Sequence, residues 1–163
     1  MKWFKNPRTL EELKKQYKQL AMEHHPDRGG STVTMQEINN EYDVLFSSLK
    51  NTHSTAEGKT YTTEKETTET PEEFKNIINI LINLEGVNIE ICGSWLWLTG
   101  NTKEHKEVLK SLKFRWSKSK MAWYYHTSGY KKKSKKTFSL DEIRDLYGSK
   151  TVQAKPEMKI AII

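Results

Sequence analysis

Three consecutive residues, His25-Pro26-Asp27, combine an imidazole, a residue that cannot extend a helix and a carboxylate. Neither ionisable group has an obvious nucleophilic partner, so their chemistry is recognition through hydrogen bonds and charge rather than bond breaking. His24 and His25 are unsuited to hold one metal together, because adjacent helical positions point in different directions, and no second ligand cluster is in view. Pro26 biases His25 away from helical geometry, and Gly29-Gly30 lets the chain turn. His25 and Asp27 are therefore expected at an exposed hairpin tip.

Two helices must hold that tip. Thr9 and Glu12 have capping-box spacing and predict a helix from Leu10. Leu13, Tyr17, Leu20, Ala21 and His24 then share one arc at helical period. Lys14, Lys15 and Lys18 take the other side, with Met22 among them. Downstream, Met35, Ile38, Tyr42 and Leu45 supply a matching stripe. The short connection makes the two helices antiparallel neighbours. Trp3 and Phe4 are expected to pack on this hairpin. The result is a turn beside a cationic surface.

A helix with basic residues, His25-Pro26-Asp27, and a helix containing Glu37, Ile38, Asn39, Tyr42, Val44 and Leu45 agree in order and spacing with one known module. Residues 1–50 resemble a J domain, the DnaJ-like module that stimulates ATP hydrolysis by DnaK-type chaperones. The resemblance implies that Lys14, Tyr17, Lys18 and Met22 contact the chaperone, with His25, Pro26 and Asp27 completing the site. Gln19 occupies a position that is often basic in the family. The Gly/Phe-rich segment and Cys-x-x-Cys zinc repeats of larger DnaJ-like proteins are missing from this sequence, so it resembles the small type.

Composition bounds the rest. The 163 residues suit one domain or two small ones, with 35% hydrophobic and 29% charged residues. No run of 18 or more apolar residues predicts a membrane span, and Met1–Pro7 has no apolar signal region. The single cysteine, Cys92, allows no internal disulfide and no four-cysteine zinc site. A cytoplasmic setting fits, and no cofactor is implied. A phosphate-binding Gly-Lys loop, a His-Glu-x-x-His pair and apolar paired carboxylates are all missing, so the chain is expected not to be an enzyme. The net charge of +6 divides into +1 over residues 1–50, −4 over 51–73 and +9 over 74–163.

Residues 51–70 are so polar that burial cannot offset their ordering entropy. They read as an acidic, Thr-rich linker between two units. Thr70, Pro71 and Glu73 open a helix bearing Phe74, Ile77, Ile78, Leu81 and Ile82. Strands over 88–92 and 95–99 follow around Gly93-Ser94. Next come a helix with Val108, Leu109 and Leu112 inward, a hairpin over 114–126, and a last helix opened by Ser139 and Glu142. Residues 71–150 thus predict a small α+β domain of order α-β-β-α-β-β-α, joined by the linker to an all-α hairpin. Residues 151–163 read as a tail in which Ile160–Ile163 adds an edge strand or stays loose.

The second unit is basic and aromatic. Between 101 and 136 there are 12 basic residues against Glu104 and Glu107. Trp116, Lys118, Lys120, Trp123, Lys131, Lys132, Lys133, Lys135 and Lys136 are candidate contacts for a nucleic acid, with bases on rings and ammonium groups on phosphates. The same residues suit a client protein. Equally, a domain this small needs many of its aromatics as core. Leu112–Tyr125 is similar to the C-terminal halves of short J proteins from bacteria and their mobile elements, a likeness that supplies no function.

Overall fold

The protein is described from a computed structural model over residues 1–55, 57–64, 69–126, 137–147 and 152–153. Helix α1 spans Leu10–His24 and α2 spans Thr32–Leu49, with a single 3-10 turn at Pro26–Arg28 between them. Thr9 caps α1 by accepting from the Glu12 amide (3.3 Å), and the Glu12 carboxylate reaches back to the Arg8 amide (2.8 Å). Leu13, Tyr17 and Ala21 meet Met35, Ile38 and Tyr42 in the core, as the two stripes require; Phe46, outside the expected stripe, is buried with them, whereas Leu45 is half-buried. Phe4 is buried and Trp3 packs against the same core. The start of the chain is tied to α2, where the Glu41 carboxylate accepts from the amides of Lys2, Trp3 and Phe4.

The stretch read as a linker carries structure. Strands β1 (Thr52–Ser54) and β2 (Thr60–Thr62) pair antiparallel, placing His53 opposite Tyr61. The reason is polar rather than hydrophobic. The buried Glu11 carboxylate of α1 lies 2.8 Å from His53 Nδ1 and accepts from the Ser54 amide at 3.2 Å. A carboxylate on α1 thus organises a segment too polar to organise itself.

Helix α3 (Pro71–Leu81) is capped by Thr70, which accepts from the Glu73 amide (3.1 Å). Strands β3 (Val87–Cys92) and β4 (Trp95–Gly100) form the predicted hairpin. Helix α4 is only Lys106–Ser111, then β5 (Arg115–Ser117), β6 (Ala122–Tyr125) and α5 (Leu140–Tyr147) follow. The spacing of Asn101 and Glu104 suggests a helix start there; Asn101 does donate to the Glu104 side chain, but the helix begins at Lys106. Val108, expected inward, faces solvent, whereas Leu109 is fully buried. Ser139 and Glu142 form a reciprocal capping box for α5 (3.1 and 2.7 Å).

The sheet has order β5-β6-β4-β3-β7, all neighbours antiparallel. Its last edge is β7 (Val152–Gln153), an edge strand drawn from the expected tail; Ile160–Ile163 lie outside the described residues. Alternation sorts the faces. Val87, Ile89, Ile91, Leu96, Leu98, Trp123 and Tyr125 join the main core, while Cys92, Trp97 and Ala122 meet Leu140 and Ile143 of α5 on the other side.

The two predicted units share this main core. Phe74 of α3 lies 6.0 Å, ring to ring, from both Tyr17 and Tyr42. Removing a buried phenyl costs about 3–5 kcal/mol. Phe74→Ala is therefore expected to lower the urea midpoint strongly, with helical circular dichroism and tryptophan fluorescence lost in one transition. Two separate transitions would show that the helical hairpin does not depend on α3.

Candidate functional site

The turn after α1 is built by its own backbone. His25 is extended (φ −66, ψ 136), as a residue before proline should be. Its carbonyl accepts from the Arg28 amide (2.9 Å) and the Gly30 amide (3.0 Å). Gly29 is left-handed at φ 89, and a Cβ on Gly30 would collide with the His24 carbonyl. The two glycines thus have separate reasons to be glycine.

Asp27 is on the surface, its side chain 59% exposed. Pro26 is exposed as well. His25 departs from expectation: its side chain is only 12% exposed. Its Nδ1 accepts from the Asp27 amide (3.2 Å) and lies 3.6 Å from the Asp27 carboxylate. The imidazole therefore folds over the turn and braces Asp27, so the carboxylate is the group presented outward. Met22 is half-buried, and its carbonyl accepts from Arg28 Nε (3.0 Å).

The cationic surface of α1 also departs from expectation. Lys14 and Lys18 are buried, 4% and 3% exposed, and Tyr17 is wholly in the core. Lys14 forms an ion pair with Glu69, itself buried, and its ammonium sits 5.0 Å from the centre of the Phe74 ring. Lys18 donates to the Ile89 carbonyl of β3 (3.0 Å). Lys15, half-buried, donates to the Tyr147 carbonyl of α5 (2.9 Å). Tyr17 donates to Asn39 Oδ1 (2.9 Å), and burial pushes its hydroxyl well above the usual phenol range.

The cover extends to the turn. Asn83, just beyond α3, donates to Asp27 Oδ2 (2.9 Å), and Arg28 donates to the Ile82 carbonyl (3.1 Å). Residues after 68 thus bond to α1 and its turn at one side chain after another. These partners were out of reach of sequence reasoning, which treats a Lys-rich helix face as solvated. One signal was available: Glu90, a lone acid inside an apolar strand, is fully buried against Arg144 of α5 (2.9 Å) and exerts a pull on Lys18.

The candidate contacts of the second unit separate. Trp116 is exposed and Trp123 buried beneath it. Lys118 is exposed in the β5–β6 turn, whereas Lys120 folds to the opposite face, 5.9 Å from the Trp97 ring. Lys131, Lys132, Lys133, Lys135 and Lys136 lie outside the described residues. Among the described residues, no group of three or more His, Cys, Asp or Glu could hold a metal ion, and no helix is long and apolar enough to cross a membrane.

Comparison with known proteins places a name on the first of these features. The DnaJ domain family model matches residues 4–53. A "Chaperone protein DnaJ" of Mycoplasmopsis pulmonis (strain UAB CTIP) is 57% identical over 37 residues, covering 21% of this chain and 10% of that relative. The chain thus spans about a tenth of the length of the curated relative it matches. No solved structure matches the chain significantly.

Burial pushes the Lys18 ammonium down to about 8 against the opposing pull of Glu90 and Cys92. Between that value and the ordinary 10.5 the unfolded chain holds a proton that the folded one lacks, so this residue makes stability rise with pH across that window. Lys18→Met is expected to stabilise the protein near neutral pH by ~1–3 kcal/mol. That gain should shrink as pH climbs from about 8 towards 10.5, read from urea midpoints at several pH values.

Proposed function

Because residues 4–53 are a DnaJ domain, we propose that this chain is a J-domain co-chaperone that binds a DnaK-type chaperone and stimulates its ATP hydrolysis. The observation that carries the reading is the helix–turn–helix arrangement with Asp27 outward and His25 bracing it. The chain contributes no catalytic group. Its contacts favour the hydrolysis-competent state of the partner, which is a shift of population. A cytoplasmic setting belongs to the same reading, as does a recruiting role, towards a client or nucleoprotein, for the part after residue 70.

The buried lysines give this reading a second half. Lys14, Tyr17 and Lys18 cannot meet an acidic chaperone surface while Glu69, Phe74 and β3 lie over them. Docking through α1 therefore requires that cover to lift, and the covered form is the resting one. A chaperone that binds only the uncovered form has its apparent affinity reduced by the uncovered fraction.

His25→Gln is expected to leave helicity intact and to remove stimulation in a single-turnover ATPase assay; equal stimulation by mutant and wild type ends the co-chaperone reading. Glu69→Ala strips the partner from a buried ammonium, a change that typically costs about 3–5 kcal/mol. With the fold verified by circular dichroism, it is expected to raise stimulation several-fold at a fixed, sub-saturating concentration. Unchanged or weaker stimulation would refute the cover.

A further inference from the structure

An open groove of about 700 Å³ runs between α4 and the β5–β6 hairpin, lined by Thr102, Lys103, Lys106, Lys110, Phe114, Arg115, Trp116 and Trp123. Its floor is aromatic and held in place. Trp116 pairs across the strands with Trp123, their rings 5.7 Å apart and edge-on at 61°. Phe114 packs on Tyr125 at 5.3 Å, and Tyr125 is anchored by donating to Glu73 (2.8 Å). Trp123 is 7% exposed but Trp116 is 44% exposed. The difference arises because β5 is an edge strand, with no strand beyond it among the described residues. A large ring is thus fixed from beneath and open above, which spares a ligand the cost of ordering it.

The rim carries one sign of charge. Lys103, Lys106, Lys110 and Arg115 are all exposed, and among the described residues no carboxylate lines the groove. Lys106 and Lys110 stand one helical turn apart, so their side chains rise on the same face. Of the acids near α4, Glu104 turns to Asn101. Glu107 meets Lys110 at 3.2 Å in a pair whose side chains are 82% and 50% exposed, a contact that water and salt weaken.

We propose that this groove is a binding site for single-stranded nucleic acid, in which Trp116 stacks on a base while Lys103, Lys106, Lys110 and Arg115 meet the flanking phosphates. An acidic peptide without aromatic side chains would satisfy the cations and leave the indole unused. A duplex would satisfy them too, but keeps its base faces stacked away from a ring on the protein. An unpaired strand supplies flat rings and anions together, at the spacing of successive bases and phosphates. The site gives a ligand to the recruiting role above, and its assay contains no ATPase, so the two readings fail separately.

The full chain is mixed with a fluorescent oligothymidylate of about 15 nucleotides and anisotropy is followed at rising salt. Retention is expected, with affinity weakened roughly 5- to 100-fold by Trp116→Ala and largely kept by Trp116→Phe. Lys106→Gln with Lys110→Gln should reduce the slope of log affinity against log salt by about 1.4. No retention at low salt overturns the proposal, as does retention indifferent to Trp116→Ala. Equal competition by polyglutamate, or by a duplex of the same length, also overturns it and assigns the groove to polyanions at large.

Discussion

Tyr17, Tyr42 and Phe74 meet in one buried cluster, with the rings of Tyr17 and Tyr42 only 4.5 Å apart and Phe74 stacked on Tyr42 and tilted against Tyr17. A helical hairpin of about 50 residues is close to the lower limit for burying enough surface to fold alone. Phe74 belongs to the segment that follows it, and behind Phe74 come Ile77, Ile78, Leu81 and the inner face of the sheet. The helices thus complete their core with residues from later in the chain. The burial of Lys14 and Lys18 follows from that choice, because a helix that lends its flank to a sheet cannot keep the same flank in water.

The electrostatics of the covered face are a consequence. Burying Lys14 and Lys18 carries a desolvation penalty that is met by a carboxylate for one and a backbone carbonyl for the other. Burial depresses the Lys18 ammonium despite the opposing pull of Glu90 and Cys92. Glu11 and Glu90, both buried, act in the opposite sense: one organises the β1–β2 hairpin and the other holds Arg144 of α5. Buried charges of both signs therefore lie along the seam between α1 and what covers it. Each ion there loses nearly as much from leaving water as it gains from its partner, so the apolar packing around Phe74 supplies most of the hold.

The sheet divides its aromatics by the same geometry. Trp97 and Trp123 alternate to opposite faces and are both buried, under α5 and in the main core respectively. Trp116 shares the face of Trp123 but stands on the edge strand, where no further element covers it among the described residues. A single residue's place in the strand order thus separates an aromatic that stabilises from one available to a ligand.

Local structure was legible in the residue order. The caps at Thr9, Thr70 and Ser139, the turn at His25–Gly30 and the hairpin at Gly93-Ser94 all depend on neighbours within a few positions. The resemblance of residues 1–50 to a J domain was equally visible, because its motif is a short string of fixed spacing. What a helical period cannot reveal is whether a polar flank faces water or protein. Lys14 and Lys18 read as solvated because Glu69 and Ile89 lie 55 and 71 residues away along the chain. The hairpin within residues 51–70 was hidden for a like reason, since its organiser is Glu11. Pattern along the chain decides which elements form and which face of each is apolar. Only the packing of distant segments decides which charges are taken out of water, because that depends on partners that no local spacing encodes.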